Sequence, residues 1–175
     1  MRHPFIVLVI LLYLLGCQST GRLADHAGST AAIHQVVESF RIALLTKDKP
    51  LYMSLFFSEK PEEIGWQHVS EDSRLVSIRK NKPDAIKARR IPANNFVSLI
   101  DEAVSATEPR EEKFSNVQVQ TDGEIASVSF DYEFFEGTNR TNWGKEMWQL
   151  VRTESGWKIF SVIYTVRDPL SASGT

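Results

Sequence analysis

The chain has 175 residues and a formal net charge of −2 at pH 7, which allows one good hydrophobic core in a domain of ordinary size. The mild acidity excludes a general nucleic-acid binder, which needs a basic face for phosphates. A single cysteine excludes an intrachain disulfide, and the scattered His26, His34 and His68 lack zinc-ligand spacing, so neither a metal nor another cofactor is expected.

Arg2 and His3 give a short basic start, and Phe5 to Leu15 is an unbroken apolar run, the length of a signal-peptide core and short for a bilayer-spanning helix. Leu14-Leu15-Gly16-Cys17 closes that run and resembles a bacterial lipobox. The resemblance implies that residues 1–16 are a lipoprotein signal peptide and that Cys17 carries acyl chains such as palmitate. Each buried acyl methylene contributes about 0.8 kcal/mol, so multiple chains hold the protein on a membrane. Gln18 stands where an inner-membrane retention signal would place Asp, which implies the outer membrane, facing the periplasm. The other readings are an ordinary secretory peptide with a chance cysteine, and an uncleaved anchor.

Residues 17–29 are small and polar and read as a flexible tether, followed by a domain over 30–168 and a loose tail over 169–175. Ser29 and Thr30 suit a helix N-cap, and Ile33, Val36, Val37, Phe40 and Leu44 then recur at helical spacing. Lys47-Asp48-Lys49-Pro50 ends that helix, with Pro50 suited to the first turn of a short apolar one over Leu51 to Phe57. Ile64 to Val69 reads as a strand with Ile64, Trp66 and His68 on one face. The stretch Ser70 to Pro92 is irregular, with a basic part from Arg79 to Arg90 (Arg79, Lys80, Lys82, Lys87, Arg89 and Arg90 against Asp84) and room for a short strand over Leu75 to Ile78. Ala93 to Val104 reads as a helix with Phe96, Val97, Ile100 and Val104 in its stripe.

From Glu111 the period changes to 2 and successive strands follow. Thr121-Asp122-Gly123, Gly137 to Arg140 and Glu154-Ser155-Gly156 are the turns. Ala126, Val128, Phe130, Tyr132 and Phe134 alternate with Ser127, Ser129, Asp131 and Glu133, which predicts one buried and one wetted face. The last strand has apolar residues in both registers, the mark of a central strand or a bulge. The result is an α+β plan, a curved antiparallel sheet wrapped around N-terminal helices.

That order, the Ile33 to Leu45 helix, Asp48 with the Leu51-to-Phe57 segment, and the ending Trp148-Gln149-Leu150-Val151-Arg152, turn, Gly156-Trp157-Lys158-Ile159-Phe160-Ser161-Val162 resemble the nuclear transport factor 2-like (SnoaL-like, cystatin-like cone) superfamily. The resemblance implies a cone with a pocket between concave sheet and helices. It says little of function, because this fold hosts enzymes, ligand binders and dimerisation modules. Enzymes of the superfamily, such as ketosteroid isomerase, scytalone dehydratase and the SnoaL cyclases, place an acid, a histidine or a tyrosine in that pocket. The corresponding candidates here are His68, Glu146 and Tyr132, each equally readable as a satisfied or solvated structural residue. Trp66, Phe130, Tyr132, Phe134 and Trp148 either line a pocket for a small apolar ligand or fill the core.

Three functions follow as expectations: a non-catalytic ligand-binding or assembly domain on an envelope lipoprotein, a periplasmic isomerase or dehydratase-type enzyme, or an accessory docking module of an envelope complex. The expected partners are the membrane through the lipid anchor, a small apolar ligand, and a second copy or an envelope protein, with no nucleic acid.

Overall fold

The computed structural model describes residues 18–169. The leader, Cys17 and the end of the tail lie outside the described residues. Helix α1 spans Gln18–Thr46, α2 Lys49–Ser54, α3 Asp72–Arg79 and α4 Phe96–Ser105; strands β1 to β5 span Gly65–Ser70, Arg110–Thr121, Ile125–Glu136, Asn139–Thr153 and Gly156–Val166.

The apolar stripe of α1 does what its spacing predicts: Ile33, Phe40 and Leu44 are fully buried against the sheet. The helix starts earlier than expected. Its backbone is helical from Gln18, so the segment read as a tether is helical, and Ser29 and Thr30 sit inside the helix instead of capping it. Asp48 is the cap of α2, its carboxylate accepting from Leu51 N, with proline in the first turn. The Leu75-to-Ile78 stretch is not a strand. It lies in α3, which buries Leu75 and exposes Val76, and none of the five strands of the sheet pairs with it. Helix α4 opens with a capping box in which Asn95 accepts from Val97 N and Ser98 N while Ser98 Oγ accepts from Asn95 N.

The sheet has five strands in the order β1-β5-β4-β3-β2. The meander β2 to β5 is antiparallel, whereas β1 pairs in parallel with β5 at one edge. A bulge in β5 explains its mixed pattern. Trp157 and Ile159 face the core, the register then shifts at Phe160, and Val162 takes the inward position. A second bulge interrupts β2 between Ser115 and Gln118, where Asn116 has a φ of 55°. The β2–β3 turn uses Gly123 at a φ of 99°, a conformation open to glycine.

The core is aromatic and centres on Phe40. Its ring lies 4.9 Å from Tyr52 and 5.0 Å from Trp148, and Phe130 meets Trp148 edge-on at 5.0 Å. Burial of one such side chain contributes about 2 kcal/mol. The outward face of the sheet carries Ser127, Ser129, Asp131 and Glu133 as expected, but also the exposed Ile125, Met147, Phe160 and Ile163. It is therefore less polar than β3 alone suggested. Among the described residues no helix is long and apolar enough to cross a membrane.

Candidate functional site

The concave side of the sheet is not filled to its end. Helices α1 and α2 cover one part; beyond them, between α4, β1 and the inward residues of β2 to β5, lies a cavity of about 470 Å³. That is within the range of small-molecule sites.

Each inward position follows from strand alternation. On β4, Glu146 precedes Trp148 and Leu150 on the buried face; on β3, Tyr132 lies between Phe130 and Phe134. On β1, Trp66 and His68 share the face that looks across to Tyr164 of β5, with ring centroids 5.8 Å and 6.2 Å away. Thus His68, Glu146 and Tyr132, expected from sequence as candidates, all line this one cavity, together with Trp66 and Phe134. Phe130 and Trp148 do not. They lie beneath it as core, 0% and 1% exposed, because the helices cover that part of the sheet.

Glu146 is not the solvated strand-end residue that its sequence position allowed. It is 3% exposed, accepts a 2.6 Å hydrogen bond from Trp148 Nε1, and hydrogen-bonds to a second buried carboxyl, Glu112 of β2. Glu112 was absent from the sequence candidates. Its signal was the alternation itself: stepping back by two from the inward Phe114 places Glu112 on the concave face, but the bulge at Asn116 breaks the pattern farther along. Removal from water pushes both carboxyls up, Glu146 to about 7, with the Trp148 bond opposing the rise. Glu112 is raised by burial first and then by the charge of its neighbour. Two carboxyls in hydrogen-bond contact titrate as a pair, and this pair holds a proton at neutral pH.

The other polar groups are arranged around the carboxyls. Tyr132 donates to Thr165 O at 2.9 Å, and its ionisation is strongly raised by burial. Tyr164 is pushed up to about 12, again by burial first. Trp66 Nε1 leans on the Tyr164 hydroxyl but forms no hydrogen bond of normal geometry. His68 Nδ1 lies 3.2 Å from Asn94 Nδ2, and residue 94 immediately precedes the Asn95 cap of α4. Burial, then the charge of Arg74, holds the imidazole below its ordinary value, so it is neutral and accepts from the amide. No hydrogen bond joins His68 to Glu146, and the charge that His68 feels is that of Arg74. At the rim, Arg74 pairs with Asp168 at 2.5 Å and Arg110 with Glu102 at 2.7 Å. Among the described residues no cluster of three or more ligating side chains could hold a metal ion.

No protein-family model matches the chain, and no curated protein matches it in sequence. Solved structures do. An NTF2-like protein with a cystatin-like fold from Novosphingobium aromaticivorans superposes with a TM-score of 0.58 at 13% identity, covering 91% of this chain and 96% of that one. A protein of unknown function with a cystatin-like fold from Nostoc punctiforme gives 0.52 at 14%, covering 82% and 93%. LinA gives 0.57 at 12%, covering 83% and 90%. At these identities the likeness is one of fold: this chain has the NTF2-like cone, an α+β architecture with a curved, unclosed sheet.

Proposed function

We propose that the protein is a lipid-anchored envelope lipoprotein whose NTF2-like domain binds a small molecule in the concave cavity. The observation that carries the binding reading is the buried Glu112–Glu146 pair opening onto that cavity. Two desolvated carboxyls destabilise a fold, and strongly perturbed acids in a cleft are candidates for function. The anchor reading rests on the leader sequence ending at Cys17. The outer membrane facing the periplasm is its proposed location, from Gln18. Native mass spectrometry of the full chain from envelope extracts tests the binding reading: a reproducible mass lost on denaturation is expected, and a clean apo mass overturns it. Metabolic labelling with palmitate tests the anchor, with label expected on the native chain and lost in Cys17→Ala.

The same pair favours a second reading, an isomerase or dehydratase-type enzyme. A carboxyl that ionises near neutral pH can take up or deliver a proton, and Glu146 meets that requirement. Turnover of the recovered ligand by the native chain but not by Glu146→Gln would establish it. The exposed Ile125, Met147, Phe160 and Ile163 favour a protein contact on the opposite face, a second copy or an envelope protein. Size-exclusion chromatography with light scattering distinguishes dimer from monomer.

A further inference from the structure

The charges around the cavity are unequal in a specific way. Of its two arginines, Arg74 pairs with the rim acid Asp168, and Arg110 pairs with Glu102 and Glu136 while its Nε is buried without a partner. Among the described residues the floor carboxyls, Glu112 and Glu146, have no ion-pair partner of their own: their surroundings are a second carboxyl, an indole N–H and phenols. The floor is thus the place where positive charge is missing.

The wall beside it is aromatic. Tyr164 is roughly perpendicular to both neighbours, at 65° to Trp66 and 83° to Tyr132, with centroids 5.8 Å and 6.1 Å apart. The Tyr132 hydroxyl is spent on Thr165 O, and that of Tyr164 lies beside Asn94 and the Trp66 indole. With these tips turned to polar neighbours, the tyrosines offer the cavity ring surface. Perpendicular rings beside anionic oxygens form the kind of surroundings that hold an ammonium group, through attraction to ring faces and direct charge pairing.

We propose that the cavity recognises an organic cation, an ammonium group on a small apolar body, seated between the Glu112 and Glu146 carboxyls and the rings of Trp66, Tyr132 and Tyr164. This rests on the reading of the cavity as a ligand site and names the ligand class. The occupant supplies the missing counter-ion, so the carboxyl pair gives up its shared proton as the cation binds. Binding therefore weakens below neutral pH. The groups that face the pair are Tyr52 from α2, Tyr132 from β3, Tyr164 from β5 and the Trp148 indole on β4, all uncharged near neutrality. Around the rest of the cavity stand His68 on β1, neutral by the same burial, and the two arginines with their acids.

The test is a comparison of three probes that share one body: 2-phenylethylammonium, 2-phenylethanol and phenylacetate. Each is titrated into the full-length chain in dodecyl maltoside, with calorimetry for affinity and the Trp66 indole N–H resonance for location. The ammonium is expected to bind at least tenfold more tightly than the alcohol, to move the Trp66 resonance and to release protons into the buffer. Glu146→Gln is expected to lose tenfold or more of the ammonium affinity and to keep that of the alcohol within twofold. If the alcohol or phenylacetate moves the resonance with equal or greater affinity, the cavity binds small molecules but not as a cation site, and the inference is overturned alone. If no probe moves the resonance at millimolar concentration, this inference and the ligand-site reading fall together. The probe comparison is made on the native chain, so it stands even if the variant fails to fold.

Discussion

Glu112 and Glu146 make a statement about stability that can be checked without any ligand. Burial raises both carboxyls above their ordinary value, 4.5 for glutamate. Between that value and the raised one, the native state binds more protons than the unfolded chain. Stability from these groups is therefore present at low pH and lost as pH rises through the window from 4.5 to about 7 for Glu146. His68 acts in the opposite sense: its depressed value costs stability as pH falls below the ordinary 6.5. Urea midpoints are expected to fall between pH 5 and pH 8 in the native chain and to flatten in the double variant Glu112→Gln with Glu146→Gln. A native midpoint that rises steadily over that range would refute the buried pair. Tyr52 gives a second prediction. Its ring is central to the core, yet its hydroxyl is buried without a hydrogen-bond partner. Tyr52→Phe removes an unsatisfied group and keeps the ring, so it is expected to stabilise by about 1 kcal/mol in urea denaturation. A loss of similar size would mean that the hydroxyl is satisfied in solution.

Two elements hold the cavity walls, and each depends on one residue. On β4, Gly144 allows the end of β5 to press close: a Cβ there would sit 2.1 Å from Thr165 O. That same carbonyl accepts from the Tyr132 hydroxyl, and Lys145 N donates to Thr165 Oγ1 at 2.9 Å. Gly144→Ala therefore forces strand from strand and breaks the tyrosine bond, with an expected loss of about 2–3 kcal/mol in thermal or urea unfolding. On α4, Asn95 satisfies two backbone donors. Asn95→Ala is expected to cost about 1 kcal/mol and, by loosening Asn94, to let the His68 imidazole titrate higher in an NMR pH series. Elements of this kind were legible to different degrees. The α1 stripe from Ile33 to Leu44 and the β3 alternation from Ala126 to Phe134 show themselves because one face is continuously buried there. The start of α1 does not, because Gly28 and Ser29 look like a boundary although the helix continues through them. Helix α3 does not either, because its apolar residues are too few to set a period.

At the scale of the whole molecule, the cone was readable from element order and the NTF2-like ending, and the inward faces of β1 and β3 from their alternation. What alternation does not carry is where along a strand the helices stop covering the sheet. Phe130 and Tyr132 share a face of β3, yet one is core and the other cavity wall, a distinction made by α1 and α2 lying across only part of the sheet. Glu112 was hidden for a related reason: its partner Glu146 lies two strands away, with β3 between them. Pairing across a sheet depends on register, and the register passes through three bulges in the meander. The candidate site thus became visible only when the individual strands were assembled.

The parallel pairing of β1 with β5 joins Gly65–Ser70 to Ser161–Val166 across about a hundred intervening residues. Closure over such a separation is slow compared with the zipping of neighbouring hairpins. The β2–β4 hairpins can assemble while the chain is still being made, but Trp66 and His68 have nothing to dock on until the final strand exists. A chain shortened before Val162 is expected to keep hairpin character by circular dichroism and to lack the protected amides of β1 in hydrogen exchange. The wall of the cavity is complete only once Tyr164 of the final strand exists, so a nascent chain carries both carboxyls of the floor before it has the whole wall that would let the floor hold anything.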